Sequence, residues 1–167
     1  MNPLPPPDCF FVSAAEGWLG LGDPAAAAAE LDQVGEAHRH HPLVLDLRWT
    51  LYACQKDWAG ALRVAREFRA SVPGEVASWL HYSYALRRTE EGGLQAAWEE
   101  LLPALEKFPQ DSTVPYNLAC YACQLGRLDE ARGLLARAAG QNREFIQQMA
   151  LRDGDLEPLW TEIRGWK

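Results

Sequence analysis

Tyr116-Asn117-Leu118-Ala119-Cys120-Tyr121-Ala122-Cys123-Gln124-Leu125-Gly126-Arg127-Leu128-Asp129-Glu130-Ala131 is the stretch that decides the fold of this 167-residue chain. Its apolar residues recur with the three-to-four-residue spacing of an amphipathic helix. The triplet Gly126-Arg127-Leu128 then interrupts the pattern with a turn signal, and a second helical pattern begins that includes Ala131. The stretch therefore predicts two helices joined by a short turn.

The same arrangement recurs along the chain with a period near 34 residues. Alanines 27, 61, 97 and 131 are separated by 34, 36 and 34 residues. Each alanine follows a turn signal, and the four signals are Gly22-Asp23-Pro24, Lys56-Asp57-Trp58, Gly92-Gly93-Leu94 and Gly126-Arg127-Leu128. Because a helix-length apolar pattern also precedes each turn, the unit of helix, turn and helix occurs four times.

The fourth copy resembles the tetratricopeptide repeat over almost its whole length. In that family, small residues let the two helices of a hairpin approach closely, and larger residues fill the gap to the next hairpin. Ala119, Ala131 and Ala138 match the small-residue positions. The resemblance implies an all-α fold, a right-handed α-solenoid of helix-turn-helix hairpins with a C-terminal helical cap.

Two copies depart from the family pattern. The second copy has Arg48 and Trp49 where the family usually has leucine and a small residue, so we expect that hairpin to pack differently. The third copy has two extra residues around Thr89-Glu90-Glu91-Gly92-Gly93, which predict a longer turn.

The repeats divide the chain into a short tail, an array and a cap. We assign residues 1–8 to a Pro-rich N-terminal tail, residues 9–143 to four repeats (9–41, 42–75, 76–111 and 112–143), and residues 144–167 to capping helices. In the cap, Glu144–Leu151 and Leu156–Arg164 read as helices, with Pro158 in the first turn of the second helix. Asp153-Gly154-Asp155 is the turn between them. A terminal hairpin needs a polar-faced cap because no neighbour covers its outer side.

Composition narrows the classes of partner. Sixteen basic and twenty-three acidic side chains give a net charge of −7, which disfavours binding to a phosphate backbone. No run approaches the roughly 18–20 apolar residues that span a bilayer. The start of the sequence has neither a basic segment nor a long apolar one, so we expect a cytoplasmic protein. In that compartment Cys9, Cys54, Cys120 and Cys123 remain thiols.

The resemblance also implies where a partner binds. In this family the first helices of the hairpins line a concave groove that holds a peptide or helix of another protein. The matching residues here are Val12, Glu16, Asp46, Leu47, Thr50, Leu80, His81, Tyr84, Arg87, Arg88, Tyr116, Asn117, Cys120 and Gln124. A lining that mixes apolar, aromatic and polar groups suits an extended peptide or an amphipathic helix. We therefore expect a non-catalytic protein–protein interaction module.

Some groove residues have two interpretations. Asn117 either bonds the backbone of a bound peptide, as a matching asparagine does in relatives, or bonds a neighbouring helix or water. Arg87 and Arg88 either meet an acidic stretch of a partner or offset a helix dipole. Relatives that clamp a chaperone's C-terminal carboxylate use lysines where this chain has Val12 and Ala77, so that role is disfavoured.

No residue pattern predicts a cofactor, a metal or a catalytic site. Cys120 and Cys123 have the spacing of half a zinc site, but a second ligand pair is missing and both lie within a helical pattern. The cluster His38-Arg39-His40-His41 lies at the end of the first copy's second helix, where cationic side chains interact well with exposed carbonyls. Phosphate loops, dinucleotide fingerprints and nucleophile elbows are absent.

The alternative function is a self-assembling structural protein. Its main contact would be a second copy of the chain, made through the cap or an edge helix. Trp160 and Trp166 lie in the cap, and they would form an apolar patch suited to self-association if they project outward.

Overall fold

The computed structural model describes residues 3–140 and 142–166. All regular structure in those residues is helical, and no β-strand occurs among them, which confirms the all-α prediction. Met1, Asn2, Gln141 and Lys167, which we assigned to the tail, the fourth repeat and the cap, lie outside the described residues. Within the described part of the chain, no helix combines the length and apolar character needed to cross a membrane.

The chain divides after Ala85 into two compact units. The helices of the first unit are α1 (Asp8–Gly20), α2 (Pro24–Asp32), α3 (Pro42–Cys54), α4 (Trp58–Ser71) and α5 (Val76–Leu86), whose last residue belongs to the second unit. The second unit contains α6 (Gly93–Leu101), α7 (Ala104–Lys107), α8 (Thr113–Gln124), α9 (Leu128–Ala139), α10 (Arg143–Ala150) and α11 (Trp160–Arg164). Short 3₁₀ helices cover Glu36–His38 and Gly154–Leu159.

The four predicted turns share one backbone feature. The described residues with positive φ are Gly22, Lys56, Gly93 and Gly126, and each lies in one of the four turn signals. Glycine adopts this conformation without strain, whereas Lys56 adopts it at φ 58° as a non-glycine residue. The side chains of Asp23 and Asp57 then accept hydrogen bonds from the third residue beyond them and start α2 and α4.

Consecutive helices pack in pairs across the first, second and fourth of these turns. Within the units, α1 contacts α2, α3 contacts α4, and α8 contacts α9. Ala119, Ala131 and Ala138, the small-residue positions of the fourth copy, have no solvent-accessible surface. A methyl group at these positions lets helix backbones approach closely, which agrees with the role expected of them.

One expected helix is interrupted, and another differs from its predicted bounds. The second helix of the third copy is divided into α6 and α7, because Pro103 lacks the N–H that would continue the hydrogen-bond ladder. The predicted helix Leu156–Arg164 is instead the 3₁₀ helix Gly154–Leu159 followed by α11. Pro158 lies inside that 3₁₀ helix and not in the first turn of an α-helix.

The histidine cluster lies beyond the helix to which we assigned it. α2 ends at Asp32, and His38 belongs to the following 3₁₀ helix. The fold also brings a carboxylate from 30 residues away to this cluster, since His38 Nδ1 lies 2.5 Å from Asp8 Oδ2. Asp8 is buried and also accepts a hydrogen bond from the Gly35 N–H. These bonds, first from Gly35 and then from His38, lower the pKa of Asp8 below its usual 3.8.

Candidate partner-binding site

The predicted groove residues fall into two sets, one in each compact unit. The first unit holds Val12, Glu16, Asp46, Leu47, Thr50, Leu80, His81 and Tyr84, and the second holds Arg87, Arg88, Tyr116, Asn117, Cys120 and Gln124. Arg87 and Arg88 follow the end of α5, as expected of an arginine pair near a helix end.

In the first unit, an aromatic cluster connects α3 and α5. Its members are Trp49, Trp58, Phe68, His81 and Tyr84. The rings of Trp49 and His81 are stacked, with centroids 3.8 Å apart and an angle of 4° between their planes. The Trp49 indole N–H also donates to the His81 carbonyl at 3.1 Å. Trp49, one of the departures from the family pattern, thus attaches α3 to α5.

Asp46 and His81, both predicted groove residues, pair with each other. Asp46 Oδ1 lies 2.6 Å from His81 Nε2, and the His81 side chain is 18% exposed. A histidine that is stacked on one ring, close to Phe68 and bonded to a carboxylate is held in place. This pair therefore positions α5 against α3. Of its two side chains, the Asp46 carboxylate, which is 42% exposed, is the one open to a partner.

Other predicted residues of the first unit belong to the protein interior or bond their own helix. Val12 is buried in the core formed by α1, α2 and α3, and Leu47 packs against that core. The Thr50 hydroxyl donates to the Asp46 carbonyl one turn earlier. Glu16 is exposed, and Leu80 is half-buried. Beside Asp46, a depression of about 170 Å³ is lined by Pro42, Leu43, Phe68, Glu75 and Ala77.

In the second unit, the chain's own C-terminal segment covers part of the predicted lining. The Tyr116 hydroxyl donates to Asp153 Oδ2 at 3.0 Å, and the Cys120 thiol donates to the same oxygen at 3.4 Å. Arg87 Nη1 donates to Asp155 Oδ2 at 2.7 Å, and the Gln124 amide donates to the Asp155 carbonyl at 3.2 Å. We call this arrangement of two aspartates and four donors the acidic-turn anchor.

Four predicted groove residues are therefore engaged within the chain. Tyr116 and Cys120 are buried, and the Arg87 side chain is 16% exposed. The turn that contains Asp153 and Asp155 therefore limits a partner's access to Cys120 and Arg87, whereas Gln124 remains exposed. The sequence marked this turn as a helix boundary and gave no sign of its long-range contacts, because acceptor and donor are 31 to 68 residues apart.

The anchor shifts the acid–base behaviour of its members. Burial, with the nearby Asp153 adding to it, raises the pKa of the Cys120 thiol. Burial likewise raises the pKa of the Tyr116 hydroxyl. For Arg87, burial acts to lower the pKa, but the hydrogen bond and the charge of Asp155 outweigh it and raise the pKa. The thiol and the phenol therefore stay protonated and act as hydrogen-bond donors.

The anchor also brings three potential metal ligands together. The ligand atoms of Cys120, Asp153 and Asp155 lie within 4.8 Å of one another. A metal would require the Cys120 thiolate, which burial disfavours, and it would compete with Arg87 for Asp155. Hydrogen bonds account for all three side chains, so we assign them to holding the turn.

A more open surface lies next to the anchor, between α8 and α10. This depression measures about 480 Å³ and is lined by Tyr116, Phe145, Gln148, Met149, Arg152, Asp153 and Gly154. Phe145 is 55% exposed and Met149 is 38% exposed, and the two lie one helical turn apart. We call this surface the α10 face.

Sequence reasoning missed the α10 face, although a signal for it existed. Positions 145, 146, 149 and 150 are all apolar, which is a wider stripe than one neighbouring helix covers. Ile146 and Ala150 fill the buried side, and Phe145 and Met149 remain at the surface. The predicted residue Asn117 is half-buried, and its amide donates to the Thr113 carbonyl of its own helix at 2.9 Å.

Comparisons of the sequence with models of known protein families and with curated proteins found no match in either case.

Proposed function

We propose that this chain is a non-catalytic protein–protein interaction module of the tetratricopeptide type, built as a right-handed solenoid of four hairpins with a helical cap. It binds a peptide or an amphipathic helix of another protein. The four in-phase turns, each with one positive-φ residue, support the repeat interpretation. The paired helices with buried alanines at the small-residue positions also support it.

The observation that carries the binding proposal is the α10 face. Phe145 and Met149 present adjacent apolar side chains, and Arg152 adds a cation at the edge of the same depression. An amphipathic helix or an extended peptide inserts apolar side chains into such a surface and places an acidic residue near the arginine. Methionine adapts its shape to different partners, which suits a binding surface.

The geometry favours binding over catalysis. The His81–Asp46 pair is packed among aromatic rings, and the buried Cys120 is held as a thiol. A general base needs a nucleophile within hydrogen-bond reach, and a cysteine nucleophile needs a lowered pKa. The His81–Asp46 pair and Cys120 do not meet these requirements, so we assign both a structural role.

The test compares capture of partner proteins by two variants that replace exposed apolar side chains with serine. Phe145→Ser/Met149→Ser removes the apolar side chains of the α10 face. Leu102→Ser removes another exposed apolar side chain of the second unit, 42% exposed, and serves as the control. We expect the double variant to lose at least about tenfold in affinity for a captured partner, because exposed apolar anchors dominate such interfaces. The control should bind like the wild type.

Equal binding by both variants would show that the partner binds somewhere other than the α10 face. A third variant, Asn117→Ala, tests the predicted groove without loosening the fold, since the Asn117 side chain bonds only its own helix within the described contacts. Tyr116→Ala is unsuitable, because it also removes the hydrogen bond to Asp153 and would loosen the acidic-turn anchor.

Self-assembly is the second candidate function, and the same apolar surface favours it. Trp160 and Trp166, which we expected to form an apolar patch if they project outward, are instead both half-buried. The Trp160 N–H donates to the Ala150 carbonyl, and Trp166 lies beside Arg143. Phe145 and Met149 are thus the better candidates for contact with a second copy. A monomeric molar mass that is independent of concentration in light scattering would eliminate this function.

A further inference from the structure

A pocket with an unusual balance of charge lies between α2, α3 and α4. Its volume is about 330 Å³, near the lower end of the range of about 300–1,000 Å³ typical of small-molecule sites. Leu45 and Val64, both buried, belong to its lining and form its apolar part. Arg39, Arg48 and Arg63 supply three guanidinium groups in a chain whose net charge is −7.

Both carboxylates of the pocket already have cationic or histidine partners. Asp32 Oδ1 lies 3.4 Å from Arg48 Nη2, and Glu67 Oε2 lies 3.0 Å from His40 Nδ1. Arg39 has no carboxylate partner among the described contacts, and Arg63 contacts only Tyr52, through its hydroxyl and its ring. With histidine neutral, the three guanidinium groups and the two carboxylates give the pocket a net charge of +1, and Arg39 and Arg63 are the two cations without a carboxylate partner.

Arg48 adds an unsatisfied donor to the same pocket. Its Nη2 donates to the Leu31 carbonyl at 3.0 Å, and its Nε is buried without a hydrogen-bond partner. A buried donor without a partner is rare in native proteins and unfavourable. It leaves the guanidinium with hydrogen-bonding capacity that the surrounding chain does not use.

We propose that this pocket binds a phosphomonoester that carries an apolar group. A phosphomonoester is an anion with a charge of about −1.5 to −2 at pH 7, so it is attracted to a lining of net positive charge, and the forked guanidinium groups of Arg39 and Arg63 suit its oxygens. The apolar group would lie on Leu45 and Val64. The pocket is separate from the predicted groove, which includes Asp46. Arg48 and Asp46 are two positions apart on α3 and therefore lie on nearly opposite faces of that helix.

The first experiment titrates the protein with phenyl phosphate and, separately, with benzoate at low ionic strength. Methyl NMR resonances of Leu45 and Val64 report on the lining of the pocket. We expect saturable shifts with phenyl phosphate and an affinity for benzoate at least about tenfold weaker, because benzoate has the same ring with one charge. Absence of saturable shifts, or equal affinity for the two compounds, would overturn the proposal.

Matched variants test the two guanidinium groups. Arg39→Gln/Arg63→Gln should weaken phenyl phosphate binding by more than about tenfold, since two charge-assisted hydrogen bonds are lost. Lys56→Gln/Arg164→Gln removes the same charge from two exposed positions outside the pocket lining and should bind like the wild type. Equal weakening in both variants would show only a general effect of charge. Arg48 is left intact because it bonds the Leu31 carbonyl.

A phosphotyrosyl peptide distinguishes the two sources of this chemistry. If the peptide and phenyl phosphate bind with equal affinity, the pocket takes a free phosphomonoester. If the peptide binds more tightly, the phosphate belongs to a partner chain that makes further contacts outside the pocket.

Discussion

At the scale of single residues, a few buried polar groups hold distant segments together. Asp8, at the start of α1, accepts hydrogen bonds from Gly35 and contacts His38. Cys120 lies in α8 and donates to Asp153. Hydrogen bonds lower the pKa of Asp8, and burial raises the pKa of Cys120. Both shifts can be tested, by titration or by chemical reactivity.

Replacing Asp8 with asparagine should make stability less dependent on acid pH. Because folding lowers the pKa of Asp8, its contribution to stability is complete above about pH 3.8 and is lost as the pH falls through the lower folded-state value. We expect Asp8→Asn to have a lower urea midpoint at pH 7, and this difference should shrink as the pH falls below about 4. The measurement is urea unfolding followed by circular dichroism from pH 2 to 7.

Glu16→Gln is the control for Asp8→Asn, since Glu16 is an exposed carboxylate of the same helix. Its urea midpoint should follow the wild type at every pH. An Asp8→Asn midpoint that stays below the wild type by the same amount at all pH values would contradict the assigned ionisation.

Cys54 and Cys120 should differ in their reactivity towards alkylating reagents. Cys54 is exposed, whereas Cys120 is buried and its thiol pKa is raised by burial and by Asp153. The thiolate is the reactive form, so iodoacetamide should alkylate Cys54 at least about tenfold faster than Cys120 in the folded protein. Mass spectrometry of digested samples measures both rates. Comparable rates would indicate that the acidic-turn anchor opens readily in solution.

At the scale of helices, close approach within a hairpin limits which side chains fit. Gly60, in the first turn of α4, has no space for a methyl group. An added Cβ would lie 2.5 Å from Asp57 Oδ2 and 2.8 Å from Tyr52 Cδ1. Gly133, in α9, has no atom within 4 Å of the same position. Two glycines in corresponding second helices therefore differ in their tolerance of alanine.

Gly60→Ala and Gly133→Ala should change stability in opposite directions. Alanine in an open helical position gains roughly 0.5–1 kcal/mol over glycine, so Gly133→Ala should raise the free energy of unfolding. Gly60→Ala should lower it by about 1–3 kcal/mol, because the methyl group displaces the Asp57 cap or the Tyr52 ring. Urea unfolding of both variants measures the difference. A stabilising effect at both positions would show that the α3–α4 contact is looser than described.

At the scale of the whole chain, the C-terminal segment completes the second unit. The turn at Asp153 and Asp155 contacts α8, and the 3₁₀ helix that follows buries Leu156 and Leu159. Arg132 makes two hydrogen bonds to the Glu162 carboxylate, which connects α9 with α11. The segment predicted as a cap is therefore part of the packing of α8 and α9.

Asp155→Asn should destabilise the second unit. It removes the charge opposite Arg87, whose side chain is 16% exposed, so a largely buried guanidinium loses its counter-charge. We expect a loss of about 1–3 kcal/mol and faster amide hydrogen exchange in α11 and the preceding 3₁₀ helix. Glu157→Gln, an exposed carboxylate of the same segment, is the control. Unchanged exchange in Asp155→Asn would mean that apolar packing alone holds the segment.

Local periodicity by itself determined the helical class and the positions of the turns. The recurrence of apolar residues every three to four positions is a local property, and Gly22, Gly93 and Gly126 indicate a backbone conformation that glycine adopts most easily. These features depend on residues a few positions apart. For the same reason, the interruption of a helix at Pro103 could have been anticipated, because proline acts on its own turn.

Only the tertiary structure decided which predicted groove side chains are available. Tyr116, Cys120 and Arg87 pair with aspartates 33 to 68 residues away, and Asp46 pairs with His81 across 35 residues. A register carried over from a repeat gives the face of a helix on which a residue lies, but not what covers that face. Contacts between segments far apart in sequence depend on the packing of the whole unit, and that packing placed the chain's own acidic turn on α8.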